Sequence, residues 1–175
     1  MFKSMILSCL LLFSLVKAQG QKHNNQVIIN GQASIPSGQL RPGLGGFLEG
    51  LYGTGKLAQL SFTAGVFVFH GRPRYKPNTV TTAIPFQIGY KQNFKSFFLQ
   101  PQAGFGALNG KIDITGDVSK PSVPAFFYGL KLGFGFKKIN AGISFQQVQA
   151  IRSGERQIWD DKQLNYSGIY VGYIF

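Results

Sequence analysis

Apolar side chains alternate with small or polar ones over most of this sequence, and that period of two residues restricts the possible folds more than any other feature. From Val80 to Tyr90 the even positions carry Val, Ile, Phe, Tyr or Thr, while Thr, Ala, Pro, Gln and Gly occupy the odd ones. Such alternation is typical of a β-strand with one apolar face. Glycine, with 23 of 175 residues, would weaken helices throughout the chain. The sequence therefore indicates an all-β protein.

Eight segments carry the pattern. They predict strands at 26–33, 43–52, 57–69, 79–90, 96–108, 124–137, 139–149 and 164–175. The connections alternate strictly between short ones, at 53–56, 91–95 and 137–140, and long ones, at 34–42, 70–78, 109–123 and 150–163. In an up-and-down barrel with both termini on the periplasmic side, the short connections lie at the periplasmic end and the long ones at the outer end. We therefore predict a closed, antiparallel, up-and-down transmembrane β-barrel of about eight strands.

The first 18 residues are predicted to be a cleaved signal peptide, which leaves residues 19–175 as the barrel. Lys3 supplies a basic start, and Met5 to Val16 form an apolar run too short to cross a bilayer as a retained helix. The only cysteine, Cys9, lies inside that run, so the mature chain is expected to have neither a disulfide nor a lipoprotein acceptor. The predicted location is the outer membrane of a Gram-negative bacterium.

Aromatic residues mark the strand ends beside the short connections, on the parity assigned to the outside. A girdle of this kind sits at the membrane interface of outer-membrane barrels. Its predicted members are Tyr52, Tyr90, Phe97, Phe136, Tyr173 and Phe175. The formal net charge of +12 is carried in short clusters between apolar segments. Those clusters favour lipid with anionic head groups as a partner over nucleic acid.

Two parts of the chain resemble a known group of proteins. The last strand, with Ile169, Val171, Tyr173 and a terminal Phe175, resembles the β-signal that outer-membrane barrels present to the barrel-assembly machinery. The stretch from Ile84 to Tyr90, with Phe97 to Gln100 and Ala103 to Gly106, resembles small outer-membrane barrel proteins of Bacteroidetes-type bacteria. The resemblance implies an OmpA-like or porin-like barrel fold, an outer-membrane location and the assembly machinery as a partner.

The predicted lumen is lined by Gln, Ser, Thr and Gly, with Glu49 and Lys131 as its only mid-strand charges. Side chains can fill an eight-stranded barrel, so a hydrogen-bonded plug is expected rather than a pore. Glu49 and Lys131 are candidates for a pair, direct or through water, unless Glu49 lies near a solvated end. Pro85 and Pro101 interrupt predicted strands, which predicts a β-bulge or a local bend at each.

Catalytic and metal-binding patterns find little support. His23 and His70 are the only near-neutral bases, and nothing in local spacing places a Ser-His-acid arrangement around His70. The paired loop carboxylates, Asp113 with Asp117 and Asp160 with Asp161, lack a complete calcium-loop spacing. The chain is expected to be no enzyme and to hold no cofactor or metal.

Three functions remain open at this point. The first is a non-enzymatic outer-membrane barrel that acts by binding, through long loops or as an accessory subunit of an envelope complex with other proteins. The second is a narrow, porin-like channel for small solutes. The third is a soluble periplasmic barrel around an apolar ligand, which needs the Phe, Leu and Ile face inside.

Overall fold

A computed structural model of the chain describes residues 25–37, 40–71, 79–112, 122–151 and 163–175. Eight strands account for most of these residues. They are β1 (Gln26–Pro36), β2 (Gly43–Gly53), β3 (Ala58–His70), β4 (Thr79–Phe94), β5 (Phe97–Ile112), β6 (Val123–Phe136), β7 (Ile139–Ala150) and β8 (Gln163–Ile174). No helix among the described residues is long and apolar enough to cross a membrane. The predicted signal peptide lies outside the described residues.

Each strand pairs antiparallel with the next, and β8 pairs with β1, so the sheet closes into an up-and-down barrel. The predicted fold class is therefore confirmed. Cα partners followed once around the sheet lead from Gln26 to Pro36 of the same strand, a stagger of ten residues. The path runs through Leu51, Ser61, Gly89, Gln102, Gly129, Gln146 and Tyr166. Such a stagger tilts the strands and sets the width of the lumen.

All eight predicted strands are present, but several extend further than predicted. Strands β4 and β5 each end four residues later than predicted: β5 continues to Ile112, and β4 continues through Lys91 to Phe94, so that the turn between them consists of Lys95 and Ser96 alone. Lys91, predicted to lie in a turn, is instead a strand residue whose side chain is 4% exposed. The polar run Lys91-Gln92-Asn93 resembles a turn in composition, whereas in the barrel Lys91 continues the β3–β4 ladder with its side chain in the lumen.

Neither proline produces a β-bulge, which was one of the two accommodations predicted, the other being a local bend. The β3–β4 ladder pairs Ala64 with Phe86 and resumes at Phe67 with Ala83, in the same register on both sides of Pro85. Around Pro101 the β4–β5 ladder likewise keeps its register, and the other edge of Pro101 stays paired with Leu130. Each proline therefore interrupts one ladder locally, which removes pairs without inserting a residue.

The two faces of the sheet differ in the predicted sense. Along β1 the residues of even number are buried and those of odd number are exposed. The outer surface carries large apolar side chains on every strand, including Leu48, Phe86, Phe105 and Ile169, exposed by 51%, 60%, 63% and 66%. This is the reverse of the arrangement that a soluble barrel around an apolar ligand requires.

Candidate functional site

An ion pair occupies the middle of the lumen. Lys131 Nζ lies 3.5 Å from Glu49 Oε1, and the two side chains are 3% and 0% exposed. The structure thus brings together the two charges singled out in the sequence, from strands β6 and β2 on opposite sides of the barrel. Lys131 Nζ also lies 4.0 Å from the centre of the Phe47 ring, whose face attracts a cation.

Gln100 of β5 ties this pair to a third wall of the barrel. Its amide donates one hydrogen bond to Glu49 Oε1 and another, of 3.1 Å, to Ser61 Oγ of β3. Glu49 Oε2 is buried and accepts no hydrogen bond from the part of the chain that the structure describes. The carboxylate therefore holds one cation and one amide through a single oxygen.

A chain of glutamines crosses the lumen beside the ion pair. Gln102 donates to Gln87 Oε1 at 3.1 Å, and Gln87 donates to Gln146 Oε1 at 3.0 Å. These side chains come from β5, β4 and β7, so the chain connects β7 to strands with which it does not pair in the sheet. All three are at least nine-tenths buried. Inside a protein such bonds are stronger than in water, and linked bonds reinforce one another.

Aromatic rings fill a large part of the lumen that sequence reasoning had assigned to polar side chains. Phe47 lies 6.3 Å from Phe67 and 5.9 Å from Tyr170, measured between ring centres. Tyr166 lies 5.4 Å from Phe67 and 5.3 Å from Phe69. The signal for this cluster was present in the run from Val66 to Phe69, which is apolar on both parities and therefore indicates burial on both faces of that strand end.

Lys91 belongs to the lumen as well, near the end of the barrel that carries the short turns. Its Nζ lies 4.0 Å from the centre of the Phe98 ring. Side chains at this end of the lumen are closely packed, with Ile28, Phe98 and Asn140 each at most 1% exposed. Charged side chains, glutamine amides and aromatic rings therefore fill the interior between the described strands. The lumen is a packed core.

The predicted girdle residues all lie on the outer surface. Their exposed fractions run from 36% for Phe97 to 70% for Phe175. Neighbouring rings make contact: Phe97 lies 5.7 Å from Phe134, and Tyr173 lies 5.0 Å from Phe175. An apolar outer surface bounded by such rings at one end is the surface that a bilayer covers in barrels of this kind.

The residues of the predicted assembly signal lie along the outer face of β8. Ile169, Val171, Tyr173 and Phe175 are all exposed. Strand β8 closes the sheet between β7 and β1, and the Phe175 amide donates to the Val27 carbonyl at 2.9 Å. These residues therefore form one outward-facing row along the last strand. Their role in assembly stays a prediction.

His70 does not meet a catalytic partner among the described residues. It is exposed at the end of β3, whereas Glu49, the one carboxylate side chain in the described ranges, is buried in the lumen. Within those ranges no three His, Cys, Asp or Glu side chains form a group that could hold a metal ion. His23 and the aspartate pairs at 113 and 117 and at 160 and 161 lie outside the described residues.

Comparison with known proteins extends the description of the fold. No family model and no curated protein matches the sequence. Among solved structures the chain is similar to Neisserial surface protein A, at a TM-score of 0.63 and 12% identity, over 89% of this chain and 100% of that one.

Two further barrels match at similar levels. Ail, the attachment invasion locus protein of Yersinia pestis, has a TM-score of 0.59 and 13% identity, over 87% of this chain and 97% of that one. The N-terminal barrel of Pseudomonas aeruginosa OprF has a TM-score of 0.53 and 17% identity, over 88% and 100%. Ail has also been determined with the heparin analogue sucrose octasulfate. At these identities the likeness establishes a shared fold, the eight-stranded barrel of outer-membrane proteins.

Proposed function

We propose that this chain is a non-enzymatic barrel of the bacterial outer membrane that acts by binding, as a structural or interaction component of the cell envelope. The observation that supports the proposal is the difference in side chains between the outer and the inner face of the sheet. Large apolar side chains cover the outside of every strand, while an ion pair, linked amides and aromatic rings fill the lumen. A bilayer is the environment that makes the outer face favourable, since exposed apolar patches of this extent do not suit a soluble monomer.

The export and assembly of the chain form part of the same proposal. Residues 1–18 would direct export and be removed, and the stripe from Ile169 to Phe175 would engage the barrel-assembly machinery. We also propose membership of the small outer-membrane barrels of Bacteroidetes-type bacteria, on the resemblance of the stretch from Ile84 to Gly106. Lipid with anionic head groups would be the constant partner, and other envelope proteins would be bound at the long connections.

The packed lumen favours binding over conduction as the activity. Cross-lumen contacts such as Lys131 with Glu49 and Gln87 with Gln146 would have to break for a solute to pass. The long connections, at 37–42, 71–78, 113–122 and 151–162, join the strands at the end opposite the short turns, and binding residues commonly lie in connections of this kind. We assign partner binding to them, with an accessory role in an envelope complex as its form.

Fractionation and capture test the proposal together. The wild-type protein should sediment with outer membranes, migrate differently on gels before and after heating, and co-purify with an envelope protein identified by mass spectrometry. Replacing residues 152–162 by a Gly-Ser segment should remove the partner and leave the heat-dependent mobility unchanged. Recovery as a soluble periplasmic protein would contradict the membrane assignment, and steady single-channel conductance in planar bilayers would favour the channel instead.

A further inference from the structure

Lysine occurs in every one of the three short turns. Lys56 lies between β2 and β3, Lys95 between β4 and β5, and Lys137 with Lys138 between β6 and β7. All four side chains are exposed. The described residues contain a single acidic side chain, Glu49, which is buried in the lumen. The end of the barrel that carries these turns, called here the lysine rim, therefore carries four positive side chains and no acidic side chain among the described residues.

Backbone hydrogen bonds hold the rim together. The Asn93 amide donates to the Leu57 carbonyl at 2.7 Å, which links the first turn to the strand that leads into the second. The Gly135 amide donates to the Ser96 carbonyl at 2.8 Å, and this bond links the second turn to the strand that leads into the third. These bonds thus tie the backbone at this end into one ring instead of leaving three independent turns.

Two of the ammonium groups lie on the outer side of the rim. Lys137 Nζ is 5.7 Å from the Phe136 ring centre, and Lys138 Nζ is 5.7 Å from the Tyr173 ring centre. Both rings belong to the outward girdle, where they are 67% and 45% exposed. These charges therefore stand at the level where an apolar bilayer core gives way to head groups, with apolar stems and rings beneath them.

The backbone at two of these lysines is unusual. Lys95 and Lys137, each first in its two-residue turn, have φ angles of 59° and 49°. Hairpin turns that need a positive φ at this position ordinarily use glycine or asparagine. A long charged side chain at a strained position is a reason to look for a functional role of the charge.

We propose that the lysine rim binds the phosphate groups of anionic phospholipids, of the phosphatidylglycerol type, in the periplasmic leaflet. The inference rests on the proposed function, which sets the apolar band in a bilayer with the short turns on the periplasmic side. Lysine near a membrane surface is attracted to anionic lipid, and four lysines on one rigid ring add their effects. An acidic periplasmic protein fits less well, because Lys137 and Lys138 lie over the lipid-facing rings and not over the mouth of the lumen.

The test compares lipid selectivity in one bilayer. The mature protein is reconstituted in phosphatidylcholine, and spin-labelled phosphatidylglycerol or phosphatidylcholine is added in trace amount to measure the lipid held at the protein surface. The wild type should prefer phosphatidylglycerol by about threefold or more at low salt. The preference should fall in 0.5 M salt, where surface charges are screened within a few ångströms.

Two variants locate the preference. The rim variant combines Lys56→Gln, Lys95→Asn, Lys137→Asn and Lys138→Gln, with asparagine at the two positions of positive φ because it tolerates that conformation. Its preference should fall to about one. The control is Arg41→Gln, which removes an exposed charge at the opposite end of the barrel and should keep the wild-type preference.

The outcomes separate the two proposals. Insertion of the wild type without any preference, as an acidic protein partner would predict, overturns the inference and the anionic lipid partner, and leaves the proposed outer-membrane barrel that acts by binding standing. A preference that survives in the rim variant, or that disappears with Arg41→Gln, overturns it as well. Failure of the wild type to insert overturns the proposed function and the inference with it.

Discussion

Lys131 Nζ lies 3.5 Å from Glu49 Oε1 across the centre of the lumen, and the two residues belong to strands that do not touch in the sheet. Hydrogen bonds between neighbouring strands close the barrel. This ion pair, with the amide of Gln100 that joins it, connects strands on opposite sides of the barrel instead. The pair thus fixes the packing of the interior in addition to the pairing of the wall.

Removing either partner should destabilise the barrel. Glu49→Gln leaves Lys131 buried without its counter-charge, and Lys131→Met leaves the Glu49 carboxylate buried without its own. Each change is expected to lower the free energy of unfolding by about 3 to 5 kcal/mol. The double variant should recover most of that loss, because no unpaired charge remains. Urea unfolding of the refolded protein in detergent measures all three variants. Single variants as stable as the wild type would show that water reaches the pair.

A methyl group in the lumen should be harmful where one on the outer face is harmless. A Cβ at Gly104 would collide with the Phe86 carbonyl and the Gln87 backbone, whereas a Cβ at Gly31 would meet nothing within 4 Å. Gly104→Ala should therefore destabilise the barrel by about 1 to 3 kcal/mol, and Gly31→Ala should be neutral or slightly stabilising. Unfolding of both variants side by side checks this; equal effects would show that the β4 backbone can move away from a Cβ at Gly104 without cost.

The strained turn offers a substitution that should increase stability. Lys137→Gly removes a side chain from a position with φ of 49° and should stabilise the barrel by about 1 kcal/mol. Lys138→Gly is the matched control, since Lys138 does not have a positive φ; it should destabilise the barrel by about 0.5 kcal/mol. The reverse order of the two unfolding midpoints would contradict strain at Lys137.

Deletion of Phe175 should impair assembly in cells more than it impairs the finished barrel. The deletion removes one hydrogen bond, to the Val27 carbonyl, and one ring contact, with Tyr173, from a wall held by eight ladders. Insertion in cells should fall severely, while urea unfolding of the refolded truncation should change little. Normal insertion with a badly destabilised refolded barrel would make Phe175 a structural anchor instead of a recognition element.

The outer face of the barrel could be predicted from the sequence because the facing of each strand depends on the residues of that strand alone. Alternation of the kind seen from Val80 to Tyr90 fixes which face a strand turns outward, and the lengths of the connections fix the order of the strands. Strand ends were less predictable. Lys91 to Phe94 resemble a turn in composition, yet pairing with β3 and β5 extends β4 through them.

The interior depends on the stagger of the sheet, which no single segment encodes. Glu49 and Lys131 could be named as candidates because they are the charges in the middle of inward faces. Their distance, the role of Gln100 and the cluster around Tyr166 all follow from a stagger of ten residues that brings distant strands to one level. The prolines show the same dependence, since the registers on either side decide whether a bulge forms.

In a barrel that spans the bilayer, the apolar outer face contacts lipid chains and the inner face does not. Tryptophan in place of outward Phe86 or inward Phe67, in a background with Trp159→Phe, reports on each face in bilayers that contain lipids with brominated chains. We expect strong quenching at position 86 and almost none at position 67, in proteins whose heat-dependent mobility confirms folding. Equal quenching at both positions, or stronger quenching at position 67, would contradict this expectation.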